Sequence, residues 1–176
     1  MPTEIRPATS ADAVTIASIY AHYVTETVVT FDQTPPNVDQ WRDHLGQLAR
    51  DGWPVLVVAS DEQVYGYAYV APWRPRPAYR YTVENSIYVD STHLGQGHGR
   101  RLLNKLLPAA AAAGARQVIA VIADTGAAAA SLALHRTAGF TPAGRLRRVG
   151  YKHHRWLDTV LLQRDLVDFG GMLTFG

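Results

Sequence analysis

The stretch LGQGHGRRLL at positions 94–103 limits what this chain can be more than any other. It follows YTVENSIYV, a run of β-branched and aromatic residues that reads as a long strand, and it opens into a helix with one apolar face. Glycine at alternate positions is costly in backbone entropy unless the main chain must turn sharply or pass close to something. A strand, a glycine loop and a helix start bring consecutive backbone N–H groups and a positive dipole end to one point, which suits an anion. Arg100 and Arg101 add charge beside it. A plain helix start loosened by glycines would use the same residues.

Three phosphate-bearing ligands compete for such a loop. A Walker A loop needs a lysine for the terminal phosphates and a hydroxyl for Mg²⁺, and neither stands in place between Gly95 and Arg101. The dinucleotide fingerprint is met by Gly95 and Gly97, but Arg100 takes the position of its third glycine. The pyrophosphate of coenzyme A asks only for the backbone cradle and the helix N-terminus.

Composition narrows the classes. The 176 residues suit one domain with one core, which we place at 1–166 with a tail at 167–176. A net charge of +2 is too weak to argue for nucleic acid, and no basic run is interleaved with aromatics. The absence of cysteine excludes disulfides, thiol catalysis and cysteine-ligated metals. MPTEIRPATS has no apolar signal core and no stretch is long and apolar enough to span a bilayer, so a cytoplasmic protein without a membrane partner is expected.

Period and punctuation predict the order β-α-α-β-β-β-α-β-α-β-β. EIRPAT is a strand, and Thr9, Ser10 and Asp12 start a helix that buries Ala13, Ile16, Ala17, Tyr20 and Val24. Asn37 caps a second helix with Val38, Trp41, Leu45 and Leu48 on one side. PVLVVAS and VYGYAYVAPW form a hairpin, and RPRPAYR is an irregular connection. Leu103, Leu106, Leu107 and Ala110 line the helix after the glycine loop, where Pro108 predicts a kink. QVIAVIA is a strand, residues 127–138 are a short helix, and 144–151 and 156–164 are strands. A bulge near Asn85 would re-aim the residues beyond it.

TVENSIYV, LGQGHGRRLL, VIAVIADTG and LALHRTAGF occur in that order at close spacing. This resembles the GNAT N-acetyltransferase superfamily over nearly the whole chain. WRPRPAYRYTVENSIYV, LHRTAGF and VGYKHHRWLDTVLLQRDL are similar to its phosphinothricin N-acetyltransferase group. The resemblance implies an α/β fold with a central mixed, mostly antiparallel twisted sheet flanked by helices. It implies acetyl-CoA as co-substrate, held by Leu94, Gly95, Gln96, Gly97, His98, Gly99 and Arg100 and by the main chain of Ile87, Tyr88 and Val89. It also implies a homodimer. Two positions depart from the family: Leu94 stands where Arg or Gln is usual, and Ala128 where an Asn touches the cofactor.

Acetyl transfer needs a deprotonated amine, a stabilised thioester oxygen and a leaving thiolate. By period two, Arg80, Thr82 and Glu84 share a strand face, so Glu84 is either a carboxylate paired with Arg80 or, as the resemblance implies, the general base. His135 is either a packing histidine or the general acid. Arg74 and Arg80 would suit a substrate carboxylate, and Phe31, Asn85, Ser86 and Tyr151 would line the acceptor pocket. His153 and His154 make no metal site, because strand neighbours face opposite sides and no partner ligand stands at metal spacing. The expected activity is transfer of acetyl to the α-amine of a small amino acid or analogue such as phosphinothricin, methionine sulfone or methionine sulfoximine. A polyamine, an aminoglycoside or a protein N-terminus is the alternative acceptor, and a silent acyl-CoA sensor the alternative class.

Overall fold

Helix starts divide this fold into two kinds. A box in which the Asp12 carboxylate accepts from the Thr9 N–H at 2.7 Å heads a 3-10 turn, and that turn runs into α1 (Ala13–Glu26). Asn37 and Gln40 bond each other's backbone N–H at the head of α2 (Val38–Arg50). In contrast, α3 (His98–Ala112) and α4 (Ala128–Thr137) begin with no side-chain cap. At α4 the Ala128 N–H is taken by the Thr125 carbonyl at 2.9 Å, whereas no such bond is made by the first amides of α3 among the described residues.

The computed structural model describes residues 3–61 and 63–167. The seven strands are β1 (Glu4–Pro7), β2 (Val55–Ala59), β3 (Val64–Pro72), β4 (Thr82–Val89), β5 (Gln117–Ala123), β6 (Thr141–Lys152) and β7 (Arg155–Asp165). They form one sheet in the order β1-β2-β3-β4-β5-β7-β6. Every pairing is antiparallel except β4 with β5. The sequence of strands and helices agrees with the order read from the period. The tail at 168–176 lies outside the described residues.

Each sheet face carries its own core. Val58, Val70, Val83 and Val118 pack under α3, whose Leu102, Leu103 and Leu106 are fully buried. Each such leucine contributes about 1.5–3 kcal/mol of apolar burial. On the opposite face Ile16, Tyr20 and Val24 of α1 and Trp41 and Leu45 of α2 pack on Val57 and Tyr67.

Pro108 sits on the exposed face of α3, and the helix continues past it to Ala112, still burying Ala110. Three expectations change here. No bulge occurs at Asn85, because the β3–β4 register is unbroken from Gly66–Val89 to Pro72–Val83. Arg80 precedes β4, as the cap of a 3-10 turn over Pro77–Tyr79, so it does not share a strand face with Glu84. His153 and His154 are not strand neighbours but the two-residue turn between β6 and β7, with φ of 48° and 59°.

Candidate active site

The parallel pairing of β4 and β5 covers only Thr82, Val83 and Glu84 on β4, whereas β5 stays paired with β7 as far as Ala123. Beyond Glu84 the two strands part. Asp90 donates to the Tyr65 carbonyl and Trp73 to that of Thr82, so even-numbered residues of β4 turn their backbone to β3. Odd-numbered residues turn theirs to β5. Ile87 therefore presents its N–H and C=O to the gap, and Val89 its N–H; the Val89 carbonyl accepts from the Tyr23 hydroxyl at 2.6 Å. The re-aiming expected of a bulge comes instead from this separation of strands. It opens a cleft of about 970 Å³.

The glycine loop forms one end of the cleft. Gly95 and Gly97 have φ of 74° and 80°, and a Cβ built on either would meet nothing within 4 Å. Gly97 is the uncapped start of α3, and Leu94, Gly95, Gly97, His98, Gly99 and Arg100 all line the cleft. Gln96 is exposed and does not line it. Arg101 does not line it: its guanidinium bonds the Thr3 side chain and carbonyl, so of the two arginines only Arg100 lies along the cleft. The His98 ring is buried and stacked on Tyr65 at 5.5 Å, and both of its nitrogens lack a partner. Burial and the Arg101 charge lower its pKa, which favours neutral imidazole at this helix start.

Glu84 lies where β4 and β5 separate. It is half-buried, lines the cleft, and makes no ion pair or hydrogen bond among the described residues. Burial raises its pKa above the usual carboxylate range, and the Arg74 charge offsets part of that. The Glu84–Arg80 pair is not formed; the Arg80 guanidinium lies 4.4 Å from the Tyr81 ring centre. Arg74 stacks on Trp73 at 4.5 Å. Arg74, Arg80 and Tyr151 do not line the cleft, and Tyr151 packs on Trp156 instead. Phe31, Asn85 and Ser86 do line it, as do Ile87, Tyr88 and Val89.

The loop after α1 walls the Glu84 side, and its anchors were not legible in the sequence. Tyr20 bonds the Thr30 hydroxyl and the Asp32 carboxylate, each at 2.7 Å. Lys152, buried at the end of β6, donates to the Thr30 carbonyl at 2.8 Å. Phe31 lies so close over Gly150 that a Cβ there would come within 2.3 Å of the ring. Only the small residue in the VGYK stretch hinted at this approach. Thr159 on β7 adds a buried, unpartnered hydroxyl to the cleft wall.

On the other face of β4, Asn85 and His135 meet. His135 Nδ1 is 2.8 Å from the Ser131 carbonyl, and Nε2 is 2.9 Å from Asn85 Nδ2. Burial lowers the His135 pKa, which favours the neutral ring, and the Ser131 bond offsets part of that. A neutral ring has one proton, and the Ser131 carbonyl takes it. Both ring nitrogens are thus engaged, Nδ1 by the Ser131 carbonyl and Nε2 by the Asn85 amide, and the general-acid role of His135 stays what the resemblance implies. Among the described residues no cluster of His, Asp or Glu is placed to hold a metal.

The acetyltransferase (GNAT) domain model matches residues 5–161. The phosphinothricin N-acetyltransferase of Alcaligenes faecalis is 41% identical over 92% of this chain and 82% of its own length. The L-methionine sulfoximine/L-methionine sulfone acetyltransferase of Pseudomonas aeruginosa is 39% identical over 94% and 96%. The crystal structure of a phosphinothricin acetyltransferase from Sinorhizobium meliloti in complex with acetyl-CoA superposes with a TM-score of 0.87, at 40% identity, covering 94% of this chain and 89% of that one.

Proposed function

The chain belongs to the GNAT acetyltransferase family, and on that premise we propose that it moves acetyl from acetyl-CoA to the α-amine of a small amino acid or analogue of the phosphinothricin, methionine sulfone or methionine sulfoximine type. One observation carries the reading: a single cleft has an uncapped, glycine-led helix start at one end and an unpaired, half-buried carboxylate where its strands separate.

The residues present fit acetyl-CoA. The open space over Gly95 and Gly97 admits a close anion, and the first-turn N–H groups of α3 with the Arg100 guanidinium would hold its phosphates. The unpaired N–H and C=O of Ile87 would bond its pantetheine arm. When bound, it supplies an activated acetyl thioester. Glu84 takes the proton from the acceptor's ammonium group, freeing the lone pair for direct attack, and its raised pKa makes it a stronger base. The new C–N bond would replace the thioester C–S bond, and the amine's second proton would end on the released CoA thiol. Phe31 and Ser86 contact the acceptor. The resemblance gives its carboxylate to Arg74, which lies outside the cleft lining with its charge felt at Glu84, so the acceptor would have to extend past the lining to meet it.

Thiol release from acetyl-CoA across a panel of amines tests this. Turnover with α-amino acids of the named type supports it. Turnover confined to polyamines, aminoglycosides or peptide N-termini replaces the acceptor. Acetyl-CoA binding without release for any amine replaces the enzyme with a sensor.

We also propose a homodimer formed through the β6–β7 hairpin. Leu146, Val149, Tyr151 and Trp156 stand exposed along it, an apolar surface that a second copy would cover.

A further inference from the structure

Asn85 and His135 are 7% and 4% exposed, and both line the cleft. Their hydrogen bonds leave one consistent arrangement. The Ser131 carbonyl can only accept, so His135 Nδ1 donates to it. Nε2 is then the acceptor, and the group of Asn85 facing it must be the amide NH₂. Reversing the carboxamide would set its oxygen against a lone pair. Asn85 Oδ1 therefore has a determined direction, is buried, and has no partner. A buried acceptor left unpaired is destabilising, and a ligand donor would relieve that.

Strand alternation says which donor. Val83 and Ile87 pack into the core under α3, while Tyr88 packs toward α1 and α2. Asn85 thus shares the face of α3, α4 and the glycine loop, and Glu84 has the opposite one. The acceptor amine meets Glu84 on its own face. The acyl donor, held by the start of α3, occupies the face of Asn85, and the N–H groups it offers there are the amides of its arm. We infer that Asn85 Oδ1 accepts a hydrogen bond from an amide N–H of the acyl donor's pantetheine arm, and that His135 is the positioning residue that holds Asn85 in that orientation. This rests on the function proposed above.

Calorimetry with CoA and with 3′-phosphoadenosine 5′-diphosphate, which has the phosphates but no arm, tests it. Asn85→Ala should weaken CoA about fivefold, the worth of one neutral hydrogen bond, and leave the nucleotide unchanged. His135→Ala should do the same, and the double variant should lose no more than either alone. His135→Gln, which restores an acceptor but no titrating proton, should regain at least half of the loss. Asn85→Ser carries the same expectation if Asn85→Ala fails to fold. Wild-type CoA affinity in the Asn85 and His135 variants overturns the inference. So does an Asn85 variant whose acceptor KM rises while CoA affinity holds, because the oxygen then serves the amine. A wild-type protein that binds no CoA overturns the proposed function and this inference together; intact wild-type binding with indifferent variants overturns the inference alone.

Discussion

Lys152 Nζ donates to the Thr30 carbonyl at 2.8 Å, a bond between residues 122 positions apart. Lys152 is 4% exposed, and burial lowers its pKa while the Asp32 charge pulls it back up. With the Tyr20 bonds it holds the loop that carries Phe31 against the cleft. Lys152→Met keeps the apolar stem and removes the donor. Steady-state kinetics should show the acceptor KM raised about tenfold, the loss of one hydrogen bond to a charged group, with CoA affinity unchanged by calorimetry. An unaltered acceptor KM would detach this loop from the site.

Glu84→Gln separates base from structure. The rate should fall by roughly two to four orders of magnitude. The residual rate should climb as pH approaches the amine pKa, while the wild type levels off earlier. Stability should move the other way. The folded Glu84 pKa is raised above its unfolded value, so the folded protein binds more protons between the two, and stability falls as pH rises through that window. At neutral pH the ionised carboxylate is a standing cost that glutamine removes, so Tm should rise. A structural ion pair would instead predict a lower Tm with near-normal turnover. Wild-type kcat/KM in the variant would remove Glu84 from the mechanism.

Gly97→Val fills the open space over the loop. With φ at 80°, any side chain there is strained, by about 1–2 kcal/mol. Gly97→Ala carries that strain with little bulk. Calorimetry should show Gly97→Val losing far more acetyl-CoA affinity than Gly97→Ala at similar Tm. Equal affinities in both variants would mean that no phosphate approaches this backbone.

Trp156, 62% exposed, tests the hairpin surface. Light scattering at micromolar concentration should give twice the chain mass of 19.3 kDa, and Trp156→Glu should shift it to the monomer. A monomeric wild type would overturn the dimer.

Much of this architecture is local and was legible in the residues. Asn37 with Gln40, the apolar stripes of α1 and α2, and the glycines before α3 act within one or two turns of chain, so spacing and side-chain chemistry suffice to read them. A part of the site was legible for the same reason: the glycine cradle and Glu84 lie on consecutive elements, and both line the cleft. The resemblance made Glu84 the expected base; spacing alone left it open to a partner in Arg80.

What the tertiary structure decided is which atoms meet. Whether β4 is re-aimed by a bulge or by losing β5 depends on the register of a strand more than thirty positions on, and the unbroken β3–β4 ladder settled it for the second. Which way Asn85 turns its carboxamide depends on His135, 50 residues away, whose other nitrogen is engaged by the Ser131 carbonyl. Tyr151 was the residue of this stretch expected at the pocket, yet it is Lys152 that is buried and the tyrosine that is exposed. Alternation along β6 allows either side to face inward; the choice falls to the Thr30 carbonyl, because a buried ammonium persists only where an acceptor is held for it.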